Sequence, residues 1–280
     1  MMKWTAVLLA VLLLTACGAS PIQVGGVAAT TATVAQFAEI MTEGTEIPVT
    51  QVISDNVSCL HDYTLSVRQM QTLEQSDLVL LSGAGLEDFL DDVMTESTRT
   101  VDCSEGIDLL KTEGGEADPH IWLSPVNAMV MAENICAALT ERYPEQENLL
   151  RMNTDALLQH LQELDSYGRD ALTDIPNRKI ITFHDGFAYL TNAYDLQLLA
   201  AVEEESGSEA SAAELTKIID LVKTNELPAV FTEVNGSSAA ASVIAAETDA
   251  EVFALNMVMG EDDYFEAMQY NFDTIKEALQ

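Results

Sequence analysis

The chain has 280 residues and 48% hydrophobic side chains, enough to bury one large or two medium cores and too many for global disorder. Twelve basic residues face 46 acidic ones, a formal net charge of −34. That surface repels phosphate backbones and anionic headgroups, which excludes nucleic-acid binding; it attracts cations, and it serves solubility equally well.

The N-terminus reads "MMKWTAVLLAVLLLTACGAS". One lysine precedes an apolar run of roughly ten residues, the size of a signal-peptide core and too short to span a bilayer. It closes on Leu14-Thr15-Ala16-Cys17, a match to the bacterial lipobox, so residues 1–17 are expected to be a lipoprotein signal with Cys17 lipidated. The mature chain would then be extracytoplasmic and touch the membrane only through its acyl anchor. Residues 18–26 read as a flexible tether.

Beyond the tether, apolar or β-branched runs at Val27–Thr33, Pro48–Ser54, Asp77–Leu81 and Thr98–Val101 predict strands. Cys59 and Cys103 each close such a run, and export permits a Cys59–Cys103 disulfide if the two strands are neighbours. Cys136 lies instead on the helical stripe Met129, Ala132, Ile135, Cys136 and Leu139, which makes it a buried thiol. Residues 144–174 hold one long helical pattern with Leu149, Met152, Ala156, Leu157, Leu161, Leu164 and Leu172 recurring. His160 falls mid-helix near Glu163 and Asp165, on an expected solvated face. Further strands are predicted at Lys179–Phe183, Leu196–Val202, Ala229–Val234 and Glu251–Asn256, with helices at Ala213–Lys223 and Ser237–Glu247 between them. This alternation predicts an α/β fold: two βα lobes with parallel sheets, residues 27–143 and 175–280, joined by one long helix over 144–174.

Three of the four histidines, His61, His120 and His184, fall at loops close after extended stretches, 59 and 64 residues apart. Ligands of open α/β sheets bind outside the carboxyl ends of strands, so these side chains could meet in a cleft between the lobes. Three imidazoles plus one oxygen make a tetrahedral zinc site. Each histidine alone reads equally as a capped loop residue, and dispersed ligands carry no local motif.

Four blocks raise the metal reading: "NVSCLHDYTLSVRQMQTLEQSDLVLLSGAGLEDFLDDV", "DPHIWLSPVNAMVMAENI", "ITFHDGFAYLTNAYDLQLLAA" and "LPAVFTEVNGSSAAASVIAAETDAEVFALN". In this order they resemble the zinc/manganese-binding lipoproteins of bacterial ABC importers, and the resemblance runs from Val27 onward. It implies two lobes on a rigid backbone helix, a metal ion held between them, and a permease with its ATPase as partners of a monomeric chain. Carried over residue by residue, the metal ligands are His61, His120 and His184. A histidine in the third place resembles the zinc-favouring members, and nitrogen donors suit Zn2+ where Mn2+ prefers oxygen. Manganese is the less favoured cargo.

The chain departs from the family pattern in two places. Leu60 stands where many members have proline. Asn256 stands where an aspartate often supplies the fourth ligand, so that position is open to Asn256, Glu204, Glu233 or a water. Asp62, Asp118 and Asp185 are expected either to orient the ligand rings or to cap local turns. A tethered zinc hydrolase is the alternative of a different class, but no H-E-x-x-H motif occurs. An adhesin would not need three histidines at comparable strand ends.

Overall fold

The computed structural model describes residues 25–53, 63–90, 99–112, 114–203, 211–234, 236, 239–260 and 262–280. Its first half holds strands β1 (Val27–Ala29), β2 (Val49–Gln51), β3 (Leu78–Leu81) and β4 (Thr100–Asp102), with helices α1 (Ala32–Thr42), α2 (Val67–Gln75) and α3 (Pro125–Arg142). Its second half holds β5 (Lys179–His184), β6 (Gln197–Glu203), β7 (Ala229–Glu233) and β8 (Glu251–Leu255), with α5 (Ala188–Ala193), α6 (Ala212–Asn225), α7 (Ala239–Glu247) and α8 (Tyr264–Ala278). Between the halves runs α4 (Glu147–Leu172).

The strands form two separate sheets in the orders β2-β1-β3-β4 and β6-β5-β7-β8, and every pairing is parallel. Both lobes therefore share one topology. The central strand "AVFTE" of β7 is buried along its whole length and "LVLL" of β3 in all but its last residue, as expected of strands covered by helices on both faces. In each sheet the chain reverses its winding direction between the first and third strands, which opens a crevice at their carboxyl ends.

The expected strand over Val27–Thr33 stops at Ala29. Thr31 is extended and Ala32 already begins α1, because the alanine-rich run that follows is a better helix than strand former. The tether also ends early: the amide of Gly25 donates to Gln75 O and that of Gly26 to Asp77 Oδ2, fastening both residues to the end of α2 and the turn before β3. Cys103 and Cys136 are both buried, whereas Cys17 and Cys59 lie outside the described residues.

α4 is 26 residues long, roughly 39 Å at 1.5 Å per residue. Its buried seam is Leu150, Thr154, Leu157, Leu161, Leu164, Gly168 and Ala171, alternating steps of four and three. The phase differs from the expected one, since Met152 and Ala156 are exposed and Leu150 faces inward. The seam meets α3 and α1 of the first lobe and α8 of the second. Gly168 makes the α8 contact feasible, for a Cβ there would stand 2.7 Å from Phe272 Cζ. One continuous apolar core runs from Phe37 and Leu80 through Leu161 to Phe187, Tyr264 and Phe272, so the lobes share an interior. No helix among the described residues is long and apolar enough to cross a membrane.

Candidate metal centre

His184 is the last residue of β5, at the mouth of the second lobe's crevice. The strand is apolar and buried, so the chain can turn only once it leaves the sheet. Thr182 Oγ1 donates to His184 O at 2.9 Å and secures that exit. The next strand across the crevice, β7, ends on Glu233, whose Oε1 lies 3.5 Å from His184 Nδ1. Both side chains are buried.

His120 arrives from the first half of the chain in "ADPHIWLSP". Asp118 Oδ1 accepts from the His120 backbone N–H at 3.0 Å and faces its Nδ1 at 2.8 Å. A carboxylate only accepts, so in this contact the Nδ1–H of His120 is the donor. Asp118 thus closes a local turn and orients the ring at once. Downstream, Trp122 Nε1 donates to Met257 O at 2.9 Å and Tyr264 Oη donates to Trp122 O at 2.8 Å. Ser124 then caps α3, with Pro125 in its first turn. The His120 segment comes from the first half of the chain but is fastened to the second.

The two imidazoles meet. His120 Nε2 and His184 Nε2 are 3.2 Å apart, with rings edge-on at 89°. Two nitrogens held 2.0–2.1 Å from one tetrahedral Zn2+ lie roughly 3.3 Å apart, so this spacing suits a shared ion. Each ring turns Nε2 toward the other and Nδ1 toward a carboxylate, the arrangement that fixes the tautomer and raises the basicity of ligand histidines. Gly186 leaves room for the approach: a Cβ there would stand 2.7 Å from His184 Cδ2, 3.1 Å from His120 Cδ2 and 2.6 Å from Met257 Cε.

The other expected site residues are placed differently. His61, Asp62 and Glu204 lie outside the described residues. Glu233 meets His184 on Nδ1, the contact of an orienting carboxylate. Asn256 has its amide committed: Oδ1 accepts from Val258 N at 2.7 Å, and Nδ2 donates to Asp262 Oδ2 at 2.8 Å. It thereby holds Val258 at φ 58°, a left-handed conformation strained for a β-branched residue, while Thr33 Oγ1 donates to Val258 O at 3.3 Å. Among the described residues no group of three or more His, Cys, Asp or Glu is gathered for a metal ion, which leaves the histidine pair as the described donors.

The family of zinc-uptake complex component A, periplasmic (ZnuA), matches residues 27–278. The chain belongs to this family. Manganese-binding lipoprotein MntA of Halalkalibacterium halodurans is 29% identical over 231 residues, covering 78% of this chain and 77% of that protein. High-affinity zinc uptake system protein ZnuA of Bacillus subtilis is 27% identical over 247 residues, covering 78% of this chain and 77% of its own length. A crystal structure of ZnuA has a TM-score of 0.83 at 28% identity, over 92% of this chain and 100% of that one. A ZnuA-family chain is a component of metal uptake, not an enzyme, which sets the hydrolase alternative aside. The expected lobes and linking helix agree with that fold.

Sequence reasoning missed several residues that shape the surroundings of the histidine pair. Gly186 and Met257 act through shape or through a backbone acceptor, which carry no compositional signal. Tyr189 was visible within "HDGFAYL" but had no assigned role; its hydroxyl donates to Asp118 O at 3.0 Å and accepts from Leu110 N at 2.9 Å. His160 is exposed as expected, yet it stacks on Phe265 with centroids 3.8 Å apart, so its ring is a packing surface between α4 and α8.

Proposed function

We propose that the protein captures Zn2+ outside the cytoplasm and delivers it to the permease and ATPase of an ABC importer. One observation carries this reading: the Nε2 atoms of His120 and His184 converge to 3.2 Å while Asp118 and Glu233 face the Nδ1 atoms. His61 is the third nitrogen donor in this reading. The engagement of Asn256 with Val258 and of Glu233 with His184 favours a different donor, such as Glu204 or a water, in the fourth place. Nitrogen donors favour zinc. Manganese is the second reading, supported by the likeness to MntA of Halalkalibacterium halodurans.

The remaining assignments belong to the same proposal. Cys17 carries the lipid anchor, and the mature chain works as a tethered monomer. Residues 27–143 and 175–280 act as the two lobes about the helix at 144–174, and Cys59 bridges Cys103.

Titration of chelator-stripped protein with Zn2+ and Mn2+ tests the reading. About one Zn2+ per chain at submicromolar affinity is expected, with Mn2+ weaker and binding lost in a His120→Ala/His184→Ala double variant. Unchanged affinity in that variant overturns the site, and tighter Mn2+ binding overturns the cargo. Intact mass of membrane-extracted protein reports the lipid on Cys17.

A further inference from the structure

The segment leading to His120 is a small antiparallel hairpin whose neck is incomplete. Lys111 and Ala117 form its bridge, flanked by Thr112 N donating to Glu116 O at 3.0 Å and Asp118 N donating to Leu110 O at 2.9 Å. In an antiparallel pair of this kind the facing residues exchange both hydrogen bonds, so Leu110 N should return a bond to Asp118 O. It does not. Leu110 N donates instead to Tyr189 Oη at 2.9 Å, and Tyr189 Oη donates to Asp118 O at 3.0 Å. A buried side-chain hydroxyl has been inserted into the rung.

Two features make this insertion matter to the histidine pair. Asp118 is the residue whose carboxylate holds His120 at both N and Nδ1. Tyr189 lies on α5, five residues after His184 and joined to it through the close-packed Gly186 turn. A single hydroxyl therefore links the backbone that aims one imidazole to the helix that follows the other. Both the Asp118 carbonyl and the Leu110 amide have this hydroxyl as their partner across the rung.

We propose that Tyr189 is a positioning residue of the metal site: its hydroxyl, wedged into the neck of the 110–118 hairpin, sets the His120–His184 geometry. This rests on the metal-site reading given above. Removing the hydroxyl lets the neck close, turns Asp118, and frees the His120 ring to change orientation and tautomer.

The test is Tyr189→Phe in the full mature chain, with Zn2+ as the probe. Affinity is expected to fall about tenfold or more, as for other groups that orient a ligand histidine, chiefly through faster dissociation. The ligand-field bands of the Co2+-substituted protein should shift, and 15N NMR of the metal-free protein should show His120 exchanging between tautomers. A merely structural role would lower the melting temperature and leave all three readouts unchanged; that result, or Zn2+ affinity within about twofold of the parent, overturns the proposal. If the variant does not fold, amide exchange in the unaltered protein decides. Protection of Leu110 N–H should rise on Zn2+ binding, and an exchange rate indifferent to metal overturns the clamp. The His120→Ala/His184→Ala variant separates the two readings: loss of zinc there with none in Tyr189→Phe sinks the clamp alone, and retention in both sinks the site.

Discussion

Glu87 offers the most exacting test of the electrostatics. It is buried in the first lobe's crevice, where Oε1 accepts from Thr30 Oγ1 at 2.5 Å and Ser82 N at 2.7 Å, and Oε2 accepts from Gly83 N at 3.0 Å. Burial pushes the carboxyl up from 4.5 to about 7, outweighing three hydrogen bonds that pull it down. Between those values the folded chain keeps a proton that the unfolded chain has released. The stability it contributes is whole below pH 4.5, is lost as pH rises through about 7, and is absent above. The gap corresponds to roughly 3 kcal/mol. Glu87→Gln has no titration, but its amide nitrogen replaces Oε2 opposite the Gly83 N–H, a donor facing a donor that costs about 1–3 kcal/mol at every pH. Urea unfolding of both proteins in chelator, followed by circular dichroism between about pH 4.5 and 8, gives the difference in stability at each pH. Subtracting one curve from the other removes the background of the other acidic residues. The difference should move by roughly 3 kcal/mol in favour of glutamine across the range. Parallel curves would refute the reasoning, because they would mean that Glu87 is ionised throughout.

Other substitutions probe the site and its frame. Asp118→Asn keeps the size of the side chain but loses the anionic acceptor at His120 Nδ1; zinc affinity, measured by chelator competition, should drop 10–100-fold. Gly186→Ala puts a methyl 2.7 Å from His184 Cδ2, and should abolish tight binding while far-ultraviolet circular dichroism stays that of the parent. Gly168→Ala drives α4 against the Phe272 ring and should destabilise the fold by about 1–3 kcal/mol in chemical denaturation, with part recovered in a Gly168→Ala/Phe272→Leu pair. Zinc at a hundred times its dissociation constant should stabilise the protein by about 2.7 kcal/mol in the same assay, and by nothing in the His120→Ala/His184→Ala variant.

The parts of this fold legible in the sequence were those written in local pattern. "KIITF" reads as a strand from its apolar, β-branched run, and β5 spans those residues and one more, His184. The long pattern over 144–174 reads as one helix, and α4 occupies all but its ends. Its phase was harder, because Leu149 and Leu150 are adjacent leucines and only contact with α1, α3 and α8 decides which one turns inward. Val27–Thr33 misled for a related reason: β-branched residues favour strands, but a parallel strand has to give way to a helix within a few residues. The pairing of His120 with His184 depends on contacts across 64 residues of chain, which no local spacing encodes. The resemblance supplied it, and the Asp118 and Glu233 contacts supply its physical reason.

The shared strand order of the two lobes sharpens what makes a crevice a binding site. Each lobe carries a buried glutamate near the carboxyl ends of its first and third strands, Glu87 in one and Glu233 in the other. In "SGAGLE" the carboxylate bends back onto the main-chain N–H groups of Ser82 and Gly83 and onto Thr30, so the crevice is filled by the protein's own hydrogen bonds. Glu233 faces an imidazole nitrogen instead, and the opposite nitrogen of that ring points out at His120. The same residue type thus meets main-chain donors in the first lobe and an imidazole in the second. The two carboxylates also start from different places: Glu233 is the last residue of β7, whereas Glu87 lies in the turn beyond β3 and reaches back to Thr30, so His184 meets a strand-end carboxylate for which the first lobe has no counterpart at the end of β3.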